Sequence, residues 1–277
     1  MITAGVIGWP ISHSRSPIIH SYWLERYGID GRYLKIPVDP RDLPGFIARM
    51  HPDEIAGINV TIPHKEPVFA LVSETEQMAK RLRAVNTVFF RDGRLVGDNT
   101  DGYGFMASLE AAIPGWSAGL GPAVVLGAGG GARAIVAALD DAGVAEIRVV
   151  NRDRDRAARL AADLVPGARV LTWDEAPAAL AGAVLLVNTT SLGMVGMPPL
   201  DLALDALPDT AVVADIVYTP LRTDLLNRAA ARGNPTVDGL GMLLHQARPG
   251  FRRWFGVEPE VTPELRALVV NDIEARR

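Results

Sequence analysis

The sequence predicts an α/β protein of two domains, an N-terminal half built on a mixed sheet and a C-terminal half built on a doubly wound parallel sheet. Three observations lead there. The chain has 277 residues, of which 48% are hydrophobic, enough for two cores of ordinary size. From residue 123 onward, short apolar strands alternate with helical patterns, which is the signature of a parallel sheet covered by helices. The first half instead carries a hairpin signal, Arg91-Asp92-Gly93-Arg94, between two apolar runs.

Residues 2–8 read as a buried strand. Ser16-Pro17 then opens a helix, with Ser16 as N-cap and Pro17 in the first turn; Ile18, Ile19, Tyr22, Trp23 and Tyr27 give it an apolar face and Gly28 ends it. A strand over 32–37, a helix over 40–49 and a strand over 57–61 follow, then helices near 65–72 and 76–83. Residues 85–90 form a strand that turns through 91–94 into 95–97. Ile113-Pro114-Gly115 and the stretch Ala118–Pro122 are loop chemistry. Beyond them come strand 123–126, helix 131–142, strand 146–150, helix 153–163, strand 169–171, helix 174–180, strands 184–187 and 212–216, and helix 222–232. Residues 239–254 and 262–275 close the chain as two helices, the second opened by Thr262-Pro263-Glu264.

Charge narrows the function. With 28 basic and 32 acidic residues the net charge is −4, which provides no electrostatic footprint for nucleic acid or an anionic membrane. There is no cysteine, so disulfides, thiolate catalysis and cysteine-bound metals are excluded. The five histidines have no metal-ligand spacing, and no metal is expected. No apolar run approaches the ~20 residues of a membrane span and the first ten residues do not read as a signal peptide, so the expectation is a cytoplasmic protein that does not bind membranes. Only three of the basic residues are lysines: Lys35, Lys65 and Lys80.

The strand 123–126 runs into Gly127-Ala128-Gly129-Gly130-Gly131-Ala132, a G-x-G-x-x-A turn, and then into a helix. Gly127 permits the tight turn, Gly129 lets backbone approach a pyrophosphate, and Ala132 lets helix and strand pack closely. The helix N-terminus adds backbone N–H groups and partial positive charge. A dinucleotide site is the expectation. The next strand ends in Asn151-Arg152 rather than in an acid, and Arg154 and Arg156 follow, which favours the 2′-phosphate of NADP; Asp153 is the dissenting residue. The run Asn188-Thr189-Thr190-Ser191 at another strand end suits a nicotinamide ribose or a plain turn.

The first half holds small polar residues at strand ends: Ser14, Ser16, Asn59, Thr61, Lys65, Asn86, Asn99, Thr100 and Asp101. Each has an ordinary reading as a cap or a turn residue. Jointly they offer donors and acceptors to a small ligand rich in hydroxyls that carries a carboxylate.

Five segments in order along the chain resemble the shikimate dehydrogenase family. They are Gly8–Pro17, Gly57–Lys65, Ala84–Thr87, Asn99–Gly102 and Asp238–Gln246. The resemblance implies a substrate-binding catalytic domain over 1–101 plus 239–277 and an NADP-binding, Rossmann-like domain over 102–238, with a hinge near 101–104 and 236–240 and closure over both ligands. It implies Lys65 and Asp101 as the catalytic pair, Ser14 and Ser16 on the substrate carboxylate, and Asn59, Thr61, Asn86, Asp101 and Gln246 on ring hydroxyls. Tyr218, in Asp215–Pro220, falls near the carboxylate or the nicotinamide. The cofactor set is Gly127, Gly129, Gly130, Gly131, Ala132, Asn151, Arg152, Arg156, Thr189, Ser191, Ile216, Gly239 and Met242. The implied reaction is the NADPH-dependent reduction of 3-dehydroshikimate to shikimate, a step of aromatic amino acid biosynthesis.

Many NADP-binding members carry Thr where this chain has Asp153, whereas members that prefer quinate and NAD carry an acid at the Asn151 position and Thr at the Ser16 position. Direct contact of His64, beside Lys65, with a ligand stays open. So do quinate or aminoshikimate as substrate, a non-catalytic sensor of NADP or shikimate, and a monomer or homodimer.

Overall fold

A computed structural model describes residues 1–116 and 121–275. Of the expected loop over 118–122, residues 118–120 lie outside the described ones. The chain divides into two compact units, Met1–Thr100 with Gln246–Arg277, and Asp101–His245.

The first unit carries a six-stranded mixed sheet. Its strands are β1 (Ile2–Gly8), β2 (Gly31–Pro37), β3 (Gly57–Val60), β4 (Glu74–Thr75), β5 (Thr87–Arg91) and β6 (Arg94–Asp98), in the order β2-β1-β3-β5-β6-β4. β1 pairs parallel with β2 and β3, whereas β5 runs antiparallel to β3 and β6. The β5–β6 hairpin turns on Asp92 and Gly93 at φ 50° and 76°, the pair of left-handed residues that a tight hairpin of this twist requires. Helices α1 (Ser16–Arg26), α2 (Leu43–Ala48), α3 (Lys65–Leu71) and α4 (Gln77–Leu82) connect the strands. Ile7, Val38, Leu43, Ile47, Ile58, Val60, Val68 and Val88 belong to one buried cluster.

Several boundaries differ from expectation. The N-cap of α1 is Arg15, not Ser16; Ser16 is the first helical residue and its N–H donates to Ser14 Oγ at 3.4 Å. α2 starts at Leu43 rather than at residue 40, because Pro44 is tolerated only in a first turn. The strand expected over 85–90 begins at Thr87, and two-residue strands such as β4 and Thr236–Val237 have too little pattern to register in a sequence.

The second unit carries a six-stranded, wholly parallel sheet. Its strands are β7 (Ala123–Leu126), β8 (Ile147–Val150), β9 (Arg169–Leu171), β10 (Leu185–Asn188), β11 (Val212–Asp215) and β12 (Thr236–Val237). Their order is β12-β11-β10-β7-β8-β9, the doubly wound arrangement of a Rossmann-like fold. All four residues of β7, β10 and β11 are buried, which explains their unbroken apolar runs. Helices α5 (Asp101–Ala112), α6 (Gly130–Asp141), α7 (Arg154–Leu164), α8 (Ala176–Ala179) and α9 (Asp224–Ala231) belong to this unit. α10 (Gly239–Phe255) runs from the second unit into the first, and α11 (Pro263–Ala275) ends the chain.

Candidate active site

In the parallel sheet, strand order reverses between β7 and β10, and the carboxyl ends of strands at such a point form a ligand crevice. The glycine loop sits there. Gly127 has φ 107°, and a Cβ on it would approach Thr189 Oγ1 to 2.7 Å. Thr189 Oγ1 donates to Leu126 O at 2.6 Å, so β10's exit loop closes against β7's exit turn. Gly129 and Gly130 are open: the nearest atom to a Cβ on Gly129 is an Arg156 guanidinium nitrogen at 3.8 Å, and nothing lies within 4 Å of one on Gly130. Backbone N–H groups in the first turn of α6 have no acceptor within the helix. A diphosphate therefore fits this turn without displacing any side chain. Ala132 is fully buried at the helix–strand contact.

Charge at the end of β8 is arranged around this loop. Arg156 Nε donates to Ala128 O at 3.0 Å, which seats a guanidinium on the glycine turn. Asp153 caps α7, accepting from Arg156 N–H at 3.0 Å. Its carboxylate is thus committed to the helix terminus. Asn151 Nδ2 donates to Asp153 O at 2.8 Å, and Arg152 and Arg154 are exposed beside it.

On the other side of the switch point, Asp215 at the end of β11 is 2% exposed. It accepts from Asn188 Nδ2 at 3.0 Å, Val217 N–H at 3.0 Å and Thr223 Oγ1 at 2.7 Å. Burial pushes its carboxyl up to about 6, against the pull of those three donors. Asn188 Oδ1 in turn accepts from Thr190 N–H and Oγ1. The carboxylate thereby ties together the loops that carry Thr189, Ser191, Ile216 and Tyr218. Ser191 is exposed, and Ile216 and Tyr218 are half-buried. Gly239 opens α10 where any side chain would collide with Ile216 O, and Met242 lies one turn further on, half-buried.

In the first unit, buried amides and hydroxyls interlock. Asn59, at 5% exposure on β3, accepts from the Tyr33 hydroxyl at 2.6 Å and donates from Nδ2 to Asn86 O and Thr87 Oγ1, both at 3.2 Å. Asn86, at 2% exposure, accepts from Thr87 Oγ1 at 2.9 Å and Thr100 N–H at 2.9 Å, and its Nδ2 reaches Thr100 Oγ1 at 3.1 Å and Gln246 Oε1 at 3.5 Å. Thr100 Oγ1 donates to Gln246 O at 2.8 Å. Ser14 Oγ and Ser16 Oγ stand 3.4 Å apart at the start of α1. Thr61 follows β3, half-buried, with its N–H on Ile7 O at 3.0 Å. Lys65 is the first residue of α3 and is half-buried, while its carbonyl accepts Val85 N–H at 2.8 Å.

Within the first unit the structure therefore links Asn59, Asn86 and Gln246 into one network and brings Ser14 beside Ser16. Asp101, the first residue of α5, is buried and belongs to the second unit, although it was expected in the first domain with Lys65. His64 takes no part: its Nε2 bonds Val38 O at 2.8 Å in the core, correcting the idea that it could touch a ligand. Sequence reasoning missed Tyr33, which carries no motif, and gave Thr87 and Asp215 no role although each stands in one. Among the described residues, no group of three or more His, Cys, Asp or Glu side chains could hold a metal. No described helix is long and apolar enough to cross a membrane.

Comparison with known proteins agrees with this geometry. Family models described as shikimate dehydrogenase substrate binding domain, shikimate / quinate 5-dehydrogenase and shikimate 5'-dehydrogenase C-terminal domain match residues 6–88, 120–195 and 239–268. The shikimate dehydrogenase (NADP(+)) of Paramagnetospirillum magneticum is 58% identical over 269 residues, covering 97% of this chain and 98% of that protein. Among solved structures, the Thermus thermophilus shikimate 5-dehydrogenase in complex with NADP(H) and shikimate is 36% identical, with a TM-score of 0.86 over 99% of this chain and 100% of that one. A quinate dehydrogenase from Corynebacterium glutamicum in complex with NAD is 32% identical, with a TM-score of 0.88 over 98% and 99% of the two chains. With identity of this degree across nearly its whole length, and with the glycine turn at the switch point of its parallel sheet, the chain belongs to the shikimate dehydrogenase family.

Proposed function

We propose that this protein reduces the ketone of 3-dehydroshikimate to shikimate with NADPH in the cytoplasm. The observation that carries the reading is 58% identity, over 97% of the chain, to a relative named shikimate dehydrogenase (NADP(+)). A guanidinium seated on the glycine turn, with the Asp153 carboxylate taken up by the α7 cap, supports NADP over NAD. The cofactor is assigned to the second unit and the substrate to the first. Gly127, Gly129, Gly130, Gly131 and Ala132 take the diphosphate, Asn151, Arg152 and Arg156 the adenosine 2′-phosphate, and Thr189, Ser191, Ile216, Gly239 and Met242 the nicotinamide end.

A reduced nicotinamide bound there would supply hydride to the carbonyl carbon. Negative charge then develops on the carbonyl oxygen, and the Lys65 ammonium donates a proton to it. The Asp101 carboxylate orients that ammonium and accepts from a neighbouring ring hydroxyl. Ser14 and Ser16, with Tyr218, hold the substrate carboxylate. Asn59, Thr61, Asn86 and Gln246 fix the ring through its hydroxyls.

The test is a steady-state assay that follows reduced-nicotinamide absorbance with shikimate and NADP+. Lys65→Ala is expected to lower kcat by ~10²–10⁴-fold with little change in KM, the usual cost of losing a general acid. A folded Lys65→Ala enzyme with near-normal kcat would remove Lys65 from the mechanism. The second reading, a quinate dehydrogenase using NAD, is favoured by the Corynebacterium likeness. It predicts faster turnover with quinate and NAD+ than with shikimate and NADP+, and that result would replace the first reading.

A further inference from the structure

We infer that Tyr33 is a positioning residue of the substrate site, whose buried phenol holds the Asn59 amide oxygen in the place from which it faces a ligand. The inference rests on the assignment of this network to shikimate. Tyr33 sits on β2 with 6% exposure. Its hydroxyl donates to Asn59 Oδ1 at 2.6 Å, the shortest bond of the network. The phenol is pushed well above its usual range, by burial first, against the pull of Ser16 and Asn59, so it remains a donor throughout the working pH range.

Asn59 has four hydrogen-bonding positions, two N–H donors and two oxygen lone pairs. Both donors are spent on Asn86 O and Thr87 Oγ1. Thr87 Oγ1 gives its own hydrogen to Asn86 Oδ1 and so must act as acceptor toward Asn59. One lone pair is spent on Tyr33. What remains is a single lone pair, which accepts from a substrate hydroxyl. An amide turned over would place its NH2 against the phenol and its oxygen against Asn86 O, an acceptor facing an acceptor. Asn86 O, which can only accept, thus sets the amide's orientation, and Tyr33 holds the oxygen so placed, so that position 59 presents an acceptor to the ligand.

The phenol itself is held by packing. The Tyr33 ring stacks on His20 with centroids 3.9 Å apart and 4° between planes, and Trp254 lies 6.0 Å away. His20 is fully buried, and burial lowers its imidazole to about 3, so it carries no charge under the ring at neutral pH.

The test is Tyr33→Phe, which keeps the ring and its stacking and removes only the hydroxyl. Losing a bond to a buried acceptor corresponds to about five- to a hundredfold in an equilibrium constant. KM for shikimate, and its dissociation constant by calorimetry, should rise by that factor, while KM for NADP+ stays within about twofold. Tyr22→Phe is the control: it removes a phenol bonded to Thr262 Oγ1 at 2.8 Å and should alter neither constant. Equal rises in both KM values, unchanged shikimate binding, or a Tyr33→Phe protein that does not fold would overturn the positioning role. A wild-type enzyme that neither binds nor oxidises shikimate would instead bring down the functional reading, and the role of Tyr33 with it.

Discussion

Gly127 and Gly130 stand three residues apart in one loop and are glycine for different reasons. Gly127 needs its φ of 107°, and a methyl there would meet Thr189 Oγ1 at 2.7 Å. Gly130 has ordinary backbone and open space around its Cα. Gly127→Ala should therefore cost about 1–3 kcal/mol of apo stability, the usual expense of forcing a side chain into such backbone. Gly130→Ala should leave apo stability unchanged or raise it by up to about 1 kcal/mol, since alanine favours a helix. On the proposed assignment of the diphosphate to this turn, it should weaken only cofactor binding. Thermal unfolding without ligand, set against NADP+ binding, separates the two. Asp153 is decided at this scale as well. From sequence it could have pointed at a ribose, but its Oδ1 caps α7.

At the scale of elements, the end of β8 and the start of α7 carry the proposed contacts to the 2′-phosphate. Arg152 is exposed there, and Arg156 is anchored to Ala128 O. Arg152→Ala should raise KM for NADP+ by roughly tenfold or more, as expected for a charged hydrogen bond, and leave KM for NAD+ nearly unchanged. Equal effects on both cofactors would mean that the guanidinium does not meet the 2′-phosphate. Asp153→Ala should cost about 1 kcal/mol through the lost cap. In the other unit, β3 passes so close to Trp254 that any side chain at Gly57 collides with the indole Nε1 and with Val88 O, two atoms joined by a 3.0 Å hydrogen bond. The alternating strands and amphipathic helices of both units were legible in sequence. The Trp254–Gly57 contact was not, because it joins residues far apart in the chain.

At the scale of the whole molecule, two buried groups couple stability to pH with opposite signs. Burial lowers the His20 imidazole in the first unit to about 3, from an ordinary 6.5. Below 6.5 the unfolded chain takes up a proton that the native state refuses. Its contribution is intact above 6.5 and falls away as pH drops toward about 3. Asp215 in the second unit is raised from 3.8 to about 6, so the native state holds the extra proton. That contribution is intact below 3.8 and is lost as pH rises through about 6. Denaturant unfolding across this window should show a steeper loss toward acid in Asp215→Asn than in the wild type, and a shallower one in His20→Phe.

The order of elements, the hairpin at Asp92-Gly93 and the dinucleotide turn were all determined by local sequence, because period, turn chemistry and glycine spacing act between near neighbours. Tertiary structure alone decided the rest. Tyr33 reads as an ordinary strand residue until folding places β2 beside β1 and the phenol against Asn59, 26 positions along the chain. Asp215 reads as a strand end until Asn188 and Thr223 are brought to it. A hydrogen bond between distant segments depends on where the sheet delivers both partners, and no pattern within either segment encodes that meeting.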